Sequence, residues 1–136
     1  MGSFTQKGMP FGYIGYAVKD IDKAKKPMEE IGFVFEETVQ DTERNIYIAF
    51  GGMDGYRVEL VAPVSEGSPV DMYLGKVGPT PYHICYKSAD IVNDIGRLKK
   101  KQFRITKPLS SAMAFGGKRV AFLYSLSAGL IEIVEE

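Results

Sequence analysis

Hydrophobic and polar residues alternate along the chain in an order that occurs twice. The segments YIGYAVKDI (13–21) and HICYKSADI (83–91) lie 70 positions apart and agree at four of their nine positions. Each has the alternation of a half-buried strand, and apolar residues at helical spacing follow it. Aspartate is a favoured N-cap residue, because its side chain accepts a hydrogen bond from a free amide of the first turn. The pattern therefore predicts a strand followed by a helix in each half, with Asp20 and Asp90 as the caps.

The two predicted helices differ in their regularity. In the second helix, Ile91, Ile95 and Leu98 fall on one face. The first helix has a similar apolar stripe but carries Pro27 beyond its first turn, where proline removes a backbone hydrogen bond and clashes with the preceding turn. We therefore expect a kink or a short helix in the first half.

Three further strand-like segments follow each predicted helix. They are rich in β-branched and aromatic residues, as strands are. In the first half they lie at 31–39, 45–50 and 56–62, and in the second half at 101–109, 118–125 and 130–135. Between the last two segments of each half stand GGMDG and LSAG, whose glycine and aspartate are typical of hairpin turns. Each half is therefore predicted to run strand–helix–strand–strand–strand.

A repeated unit of this kind predicts the fold class. The repeats are expected at 11–62 and 81–135 of a single domain, with a linker at 63–80 that is rich in proline, glycine and serine. A single helix is too short to cover the apolar face of each half-sheet, so the two faces should cover each other. The sequence thus predicts an α+β fold of two tandem βαβββ units, which form a curled sheet around a central cleft.

Composition limits the classes of partner and compartment. Lys plus Arg and Asp plus Glu both number 17, so the formal net charge is zero and the basic excess of a nucleic-acid-binding surface is absent. We expect no nucleic-acid partner and no membrane span, and therefore a cytoplasmic protein. The single cysteine, Cys85, and the single histidine exclude an intrachain disulfide and a Cys/His zinc framework. Cys85 is expected to be a small buried residue.

Four polar positions form symmetric pairs in the predicted halves. Tyr13 and His83 stand at equivalent places in the first strands, and Glu59 and Glu132 lie in the last strands among apolar residues. Burial of an unpaired carboxylate is costly or raises its pKa. Each glutamate therefore needs a metal ion, an arginine such as Arg57, or a proton.

These segments also resemble a known family. The chain is similar, from about residue 11 to 135, to the vicinal oxygen chelate superfamily, which includes glyoxalase I, extradiol dioxygenases and bleomycin-resistance proteins. Its methylmalonyl-CoA epimerase-like branch is the most similar. The segments that carry the resemblance are YIGYAVKDIDKA (13–24), YHICYKSADI (82–91), GGKRVAFLYS (116–125) and LIEIVEE (130–136).

The resemblance implies one divalent metal ion in the cleft, held by the first and last strands of the two halves. Glu59, His83 and Glu132 match ligand types that the family uses, whereas Tyr13 stands where the family has histidine. An oxygen-rich set of this kind suits Mn²⁺, Mg²⁺, Co²⁺, Ni²⁺ or Zn²⁺. Whether the site retains an ion or is degenerate stays open at this point.

The resemblance further implies a metal-assisted lyase or isomerase, similar to glyoxalase or epimerase. Such an enzyme removes an α-proton from a small oxo-acid, thioester or hemithioacetal. Glu132 is expected to be the base, Tyr13 to hydrogen-bond the substrate oxygen, and Glu59 and His83 to hold the ion with water. Candidates for binding a substrate carboxylate or phosphate are Arg44, Arg57, Lys118 and Arg119.

The alternative is a protein that sequesters a small molecule without turning it over, as bleomycin-resistance-like members do. Glu59 and Glu132 would then be counter-charges, and the pocket walls would be Tyr13, Tyr16, Tyr47, Tyr56, Tyr86 and Phe115. For either function the resemblance also implies a homodimer.

Overall fold

The alternating segments form strands of one mixed sheet, and the periodic segments form helices. The structure is a computed structural model that describes residues 8–136. Its elements in chain order are β1 (Phe11–Ala17), α1 (Ile21–Ile31), β2 (Val34–Phe35), β3 (Val39–Asp41), β4 (Ile46–Met53), β5 (Tyr56–Pro63), α2 (Asp71–Lys76), β6 (Thr80–Ser88), α3 (Ile91–Lys100), β7 (Arg104–Ser111), a 3-10 turn (Met113–Phe115), β8 (Arg119–Ser125) and β9 (Gly129–Glu135).

The first strands of the two halves meet at the centre of the sheet. The strand order is β2-β4-β5-β1-β6-β9-β8-β7, and β3 pairs with β4. β1 runs antiparallel to β6, whereas β1 is parallel to β5 and β6 is parallel to β9. The sheet curls without closing. The α+β class and the curled sheet predicted from the sequence are therefore confirmed.

Both predicted helix caps are present. The Asp20 side chain accepts a hydrogen bond from the Lys23 amide at 3.0 Å, and Asp90 accepts one from Asn93 at 3.2 Å. α3 buries its predicted face of Ile91, Ile95 and Leu98 against β8 and β9. These caps fix where each helix begins after its strand.

The first helix is longer than Pro27 suggested. α1 runs for 11 residues with Pro27 inside it, so the expectation of a short helix is wrong, and the alternative, a kink, stays a prediction. Pro27 and Lys23 are both exposed, so the Lys23 carbonyl that lacks an amide partner can be hydrated. The cost of proline is consequently low at this position.

The segment between the halves is anchored to the sheet. It contains the short helix α2, and Val70 just before that helix is completely buried against Ala17, Ile48 and Val61. α2 therefore lies beside the central strands rather than in a free linker. Among residues 8–136, no helix is both long and apolar enough to cross a membrane.

The hairpin turn of the first half is shorter than the GGMDG segment suggested. Only Asp54 and Gly55 form the turn, with φ angles of 49° and 76°, which are values of the two-residue turns that match strand twist. Gly51 and Gly52 belong to β4. A Cβ atom at Gly51 would lie 2.3 Å from the ring of Phe35, its partner on the neighbouring strand β2, so glycine there leaves room for that ring.

Candidate active site

Three buried polar side chains converge at the centre of the sheet. Glu59 of β5, His83 of β6 and Glu132 of β9 are each at most 4% exposed. Their ligand atoms lie within 4.8 Å of one another. His83 Nε2 is 3.1 Å from Glu132 Oε1 and 4.0 Å from Glu59 Oε1. The structure thus brings together the three residues that the sequence proposed as metal ligands.

Strand register explains the convergence. Gly15 of β1 pairs with Glu59 on one side and with His83 on the other, while Cys85 pairs with Glu132. A Cβ atom at Gly15 would lie only 2.1 Å from His83 Cε1. The imidazole therefore lies across β1 in the space that the missing side chain leaves.

Burial dominates the electrostatics of the three groups. It raises the pKa of Glu59 to about 8, and the neighbouring charge of Glu132 acts in the same direction. Burial likewise raises the pKa of Glu132 to about 8, and it lowers the pKa of His83. The neutral forms are therefore favoured when no cation is present. A divalent cation would reverse this preference, because it stabilises both carboxylates.

The donor set fits a divalent metal ion. Glu59 Oε2 and His83 Nδ1 are buried and have no hydrogen-bond partner within the described part of the chain. An unsatisfied buried polar atom costs about 1–3 kcal/mol, and coordination of Glu59 Oε2 would remove that cost for the carboxylate. Two carboxylates and one imidazole, completed by water, suit an octahedral ion such as Mn²⁺, Mg²⁺ or Co²⁺, and also Ni²⁺ or Zn²⁺.

A large cavity adjoins the three residues. It has a volume of about 980 Å³, and Glu59 and Glu132 form part of its wall. Arg44 crosses from the β3–β4 loop to β7, where it donates hydrogen bonds to Ser110 Oγ at 2.7 Å and to the Ser111 carbonyl at 3.2 Å. This bridge ties the two halves together beside the cavity. The volume is sufficient for a small organic ligand.

Tyr82 enters this cavity because β6 contains a bulge. Gly15 pairs with His83, but Tyr16 pairs with Pro81, so Tyr82 is the extra residue. The Tyr82 ring packs edge-on against the His83 imidazole, with centroids 4.5 Å apart, and lines the cavity wall. Sequence reasoning missed Tyr82, since strict alternation assigns it to the face opposite His83.

Tyr13 lies outside the large cavity. Its ring is 4.7 Å from Phe50 and 6.1 Å from Phe115, and it lines a separate pocket of about 370 Å³. Burial raises the pKa of its phenol, and Arg57 partly offsets this. Tyr13 pairs with Cys85, which is completely buried as predicted. Tyr13 thus lines a different pocket from Glu59 and Glu132. The catalytic role expected for Tyr13 stays a prediction.

Of the four proposed substrate-binding cations, Arg44 lines the large cavity. Arg57 instead donates hydrogen bonds to the carbonyls of Gly12 and Phe11, both at 2.9 Å. Arg119 is paired with Glu135 at 3.1 Å, and Lys118 lines the smaller pocket. Sequence alone gave no means of ranking these four, because long cationic side chains can reach many partners.

The aromatic walls of the cavity also differ from those proposed for a sequestering protein. Of that set only Phe115 lines the large cavity; the aromatic lining consists of Tyr73, Tyr82, Phe115, Phe122 and Tyr124. Two acidic residues that line the cavity, Asp41 and Glu43, also went unrecognised in the sequence. Asp41 ends the short strand β3 and Glu43 follows it, and the sequence carries little signal for this strand.

The curled sheet, with polar ligands from paired strands around one cleft, defines a fold family. Residues 13–122 match the family described as the Glyoxalase/Bleomycin resistance protein/Dioxygenase superfamily, and the chain belongs to this superfamily. Over 104 residues it is 31% identical to the mitochondrial methylmalonyl-CoA epimerase of Dictyostelium discoideum. This match covers 74% of this chain and 61% of that protein. Over 128 residues it is 30% identical to the mitochondrial methylmalonyl-CoA epimerase of Homo sapiens, covering 89% and 70%.

Solved structures give the same picture of the fold. A hypothetical protein from Bacillus halodurans superposes with a TM-score of 0.82 at 26% identity, over 96% of each chain. A methylmalonyl-CoA epimerase in complex with methylmalonyl-CoA and NH₄⁺ superposes with a TM-score of 0.78 at 26% identity, over 94% of each chain. The present chain spans about three fifths of the length of the Dictyostelium relative.

Proposed function

We propose that the protein is a metal-dependent epimerase that removes and returns the α-proton of a small acyl thioester of the methylmalonyl-CoA kind. One observation carries the proposal: Glu59, His83 and Glu132 form a buried ligand set at the wall of a cavity of about 980 Å³. The similarity to methylmalonyl-CoA epimerases supports an epimerase over a glyoxalase-type lyase.

When the α-proton leaves, negative charge develops on the oxygen of the adjacent thioester carbonyl. A divalent ion, when bound, would polarise that carbonyl as a Lewis acid. Glu59 and His83 would hold the ion, and their burial would keep bulk water away from it. A low-dielectric environment of this kind strengthens each electrostatic contact with the developing charge.

Glu132 is the proposed base. Its carboxyl lies at the cavity wall, where it can reach a bound substrate, and a bound cation would favour its ionised form, which is the form that accepts a proton. Its contact with His83 at 3.1 Å orients the carboxylate. Arg44, the cation that bridges the two halves at this cavity, is the proposed partner of a substrate carboxylate.

Hydrogen exchange tests the proposal directly. The metal-loaded protein should incorporate deuterium from D₂O at the α-carbon of methylmalonyl-CoA, as measured by mass spectrometry. A chelator should stop the exchange, and His83→Ala should lower the rate by about a hundredfold or more. Circular dichroism of His83→Ala serves as the control for folding.

Absence of exchange would contradict the proposal. The folded wild type is not an epimerase of this kind if it exchanges the α-hydrogen of neither methylmalonyl-CoA nor ethylmalonyl-CoA. This outcome must hold for the protein loaded with each of Mn²⁺, Mg²⁺, Co²⁺, Ni²⁺ and Zn²⁺. Tight binding of a ligand without exchange would then favour sequestration, which the aromatic lining of the cavity can support.

A further inference from the structure

The bulge in β6 places a phenol beside the proposed metal ligands. We infer that Tyr82 donates a hydrogen bond from its hydroxyl to the substrate oxygen on which charge develops. This inference rests on the proposed function and assigns to it a residue outside the ligand set. It gives Tyr82, rather than Tyr13, the role of the tyrosine that binds the substrate.

The Tyr82 ring is held on two sides. His83 packs against it at a centroid distance of 4.5 Å with the planes nearly perpendicular, and Tyr73 of α2 lies at 4.9 Å. The ring also packs against the buried cluster that contains Ile46 and Ile48. Fixed aromatic contacts of this kind keep the hydroxyl in place, so that little reorganisation is needed when the substrate oxygen becomes charged.

The Tyr82 hydroxyl is free to bind a ligand. Among residues 8–136 it has no hydrogen-bond partner, and its side chain lines the same cavity as Glu59 and Glu132. Tyr82 is half-buried, so a ligand oxygen in the cavity can reach its hydroxyl and provide a partner.

Other donors at the cavity are less suitable. The Arg44 guanidinium already donates to Ser110 and Ser111 and is paired with Asp41 at 3.4 Å. Tyr124 is 39% exposed and therefore projects toward solvent. Of the cavity phenols, Tyr82 is the one that packs directly against a member of the ligand set.

The bulge also explains why the two halves of the cleft differ. β1 contains the equivalent irregularity, where Phe11 pairs with Tyr86 and Tyr13 pairs with Cys85, so Gly12 is its extra residue. Gly12 has no side chain, and a Cβ atom there would lie 2.9 Å from the Cys85 carbonyl oxygen. The first half therefore cannot present a donor at this position, and the second half can.

Tyr82→Phe tests the inference, because it removes the hydroxyl and keeps the ring contacts. Three quantities are measured for the metal-loaded protein: the metal affinity, the rate of α-hydrogen exchange, and the affinity for 2-nitronate-propionyl-CoA, the ligand present in structures of a related epimerase. Tyr82→Phe should lower the exchange rate and the affinity for this ligand by about tenfold or more, with metal affinity changed less than about twofold. Tyr86→Phe, which removes a hydroxyl from the same strand outside the large cavity, should leave all three unchanged.

Each outcome decides the inference. Unchanged affinity and exchange in Tyr82→Phe would overturn it, and so would a parallel loss of metal affinity, since Tyr82 would then act only by supporting His83. If the wild type binds 2-nitronate-propionyl-CoA but exchanges no hydrogen, the proposed epimerase function fails while the binding comparison still decides the role of Tyr82. A wild type that neither binds nor exchanges overturns both.

Discussion

Substitution of Gly15 by alanine should destroy the proposed metal site while leaving the three proposed ligand residues unchanged. The added Cβ atom would lie 2.1 Å from His83 Cε1, 2.4 Å from Nδ1 and 2.6 Å from Nε2. Ordinary carbon contacts need about 3.5 Å, so the ring would have to move by roughly 1.4 Å. Tyr82 and Phe122 pack against the other sides of the imidazole, at 4.5 and 5.1 Å. The ring therefore cannot move by this amount and still meet both glutamates.

The displacement sets the size of the expected effect. A ligand moved by more than an ångström leaves the coordination range, which is about 2.0–2.2 Å for these ions. We expect metal affinity to fall about a hundredfold, or roughly 2.7 kcal/mol. Overpacking should lower the free energy of unfolding by about 1–3 kcal/mol. Gly15→Ala should therefore fold and yet bind metal poorly.

Calorimetric titration with Mn²⁺ and Zn²⁺, together with urea unfolding, measures both effects. Gly96→Ala is the matched control, since an added Cβ atom there has nothing within 4 Å. Its metal affinity should be unchanged. Its free energy of unfolding should be unchanged or higher by about 1 kcal/mol at most, because alanine favours the helix more than glycine does. A folded Gly15→Ala protein with wild-type metal affinity would refute the reasoning, because His83 could not then be a ligand in the position described.

Four further predictions follow from the site and its symmetry. Without metal, the free energy of unfolding should fall between about pH 7 and 8, because Glu59 and Glu132 are ionised in the unfolded chain but retain protons in the fold up to a pKa of about 8. Each such carboxyl contributes about 1.4 kcal/mol per pH unit; urea titrations measure the slope, and a rising profile would contradict the burial argument. Glu132→Gln should abolish α-hydrogen exchange while Glu43→Gln retains it, and mass spectrometry showing the reverse would make Glu43 the base. Tyr13→His alone should barely change Ni²⁺ affinity in calorimetry, because Cys85 occupies the space that a glycine gives the histidine of the other half; the double variant with Cys85→Gly should gain about tenfold, and an equal gain from the single variant would show that this space is not limiting. The homodimer stays a prediction, and light scattering should give twice the chain mass of 15.1 kDa at working concentrations; a concentration-independent monomer would exclude it.

The fold was predictable because its signals repeat. Three signals pointed to one curled sheet. They are the period of two in the strands, the apolar stripe of helices such as α3, and the same order of segments 70 positions later. Pro27 misled the prediction for α1, because a local rule about proline could not show that the affected turn would be solvent-exposed. The division of the segment at 31–39 into β2 and the start of β3 was equally invisible, since it depends on which residues pair with β4.

The candidate site was predictable only where alternation held. Strand alternation and symmetry picked out Tyr13, His83, Glu59 and Glu132 as paired positions. The family resemblance then implied Glu59, His83 and Glu132 as ligands, and the structure brings these three together. Tyr82 was missed because a bulge adds one residue and reverses the alternation locally. Arg57 was proposed as a substrate ligand, but backbone carbonyls bind it, and a sequence does not reveal such partners.

The origin of the three donors on β5, β6 and β9 has a consequence for how the proposed metal ion would be acquired. Glu59 and His83 are 24 positions apart in the chain, and His83 and Glu132 are 49 apart, so no short peptide of this sequence contains the complete set. β1 must pair with both of its neighbours before the imidazole has a place to lie. Contacts this distant in the chain form slowly, because the entropy cost of closing long loops comes before any stabilising contact is made. The nascent chain therefore has no complete site with which to capture an ion, and loading follows folding rather than guiding it. The ion then acts on the stability of the finished molecule and hardly on the path by which it forms.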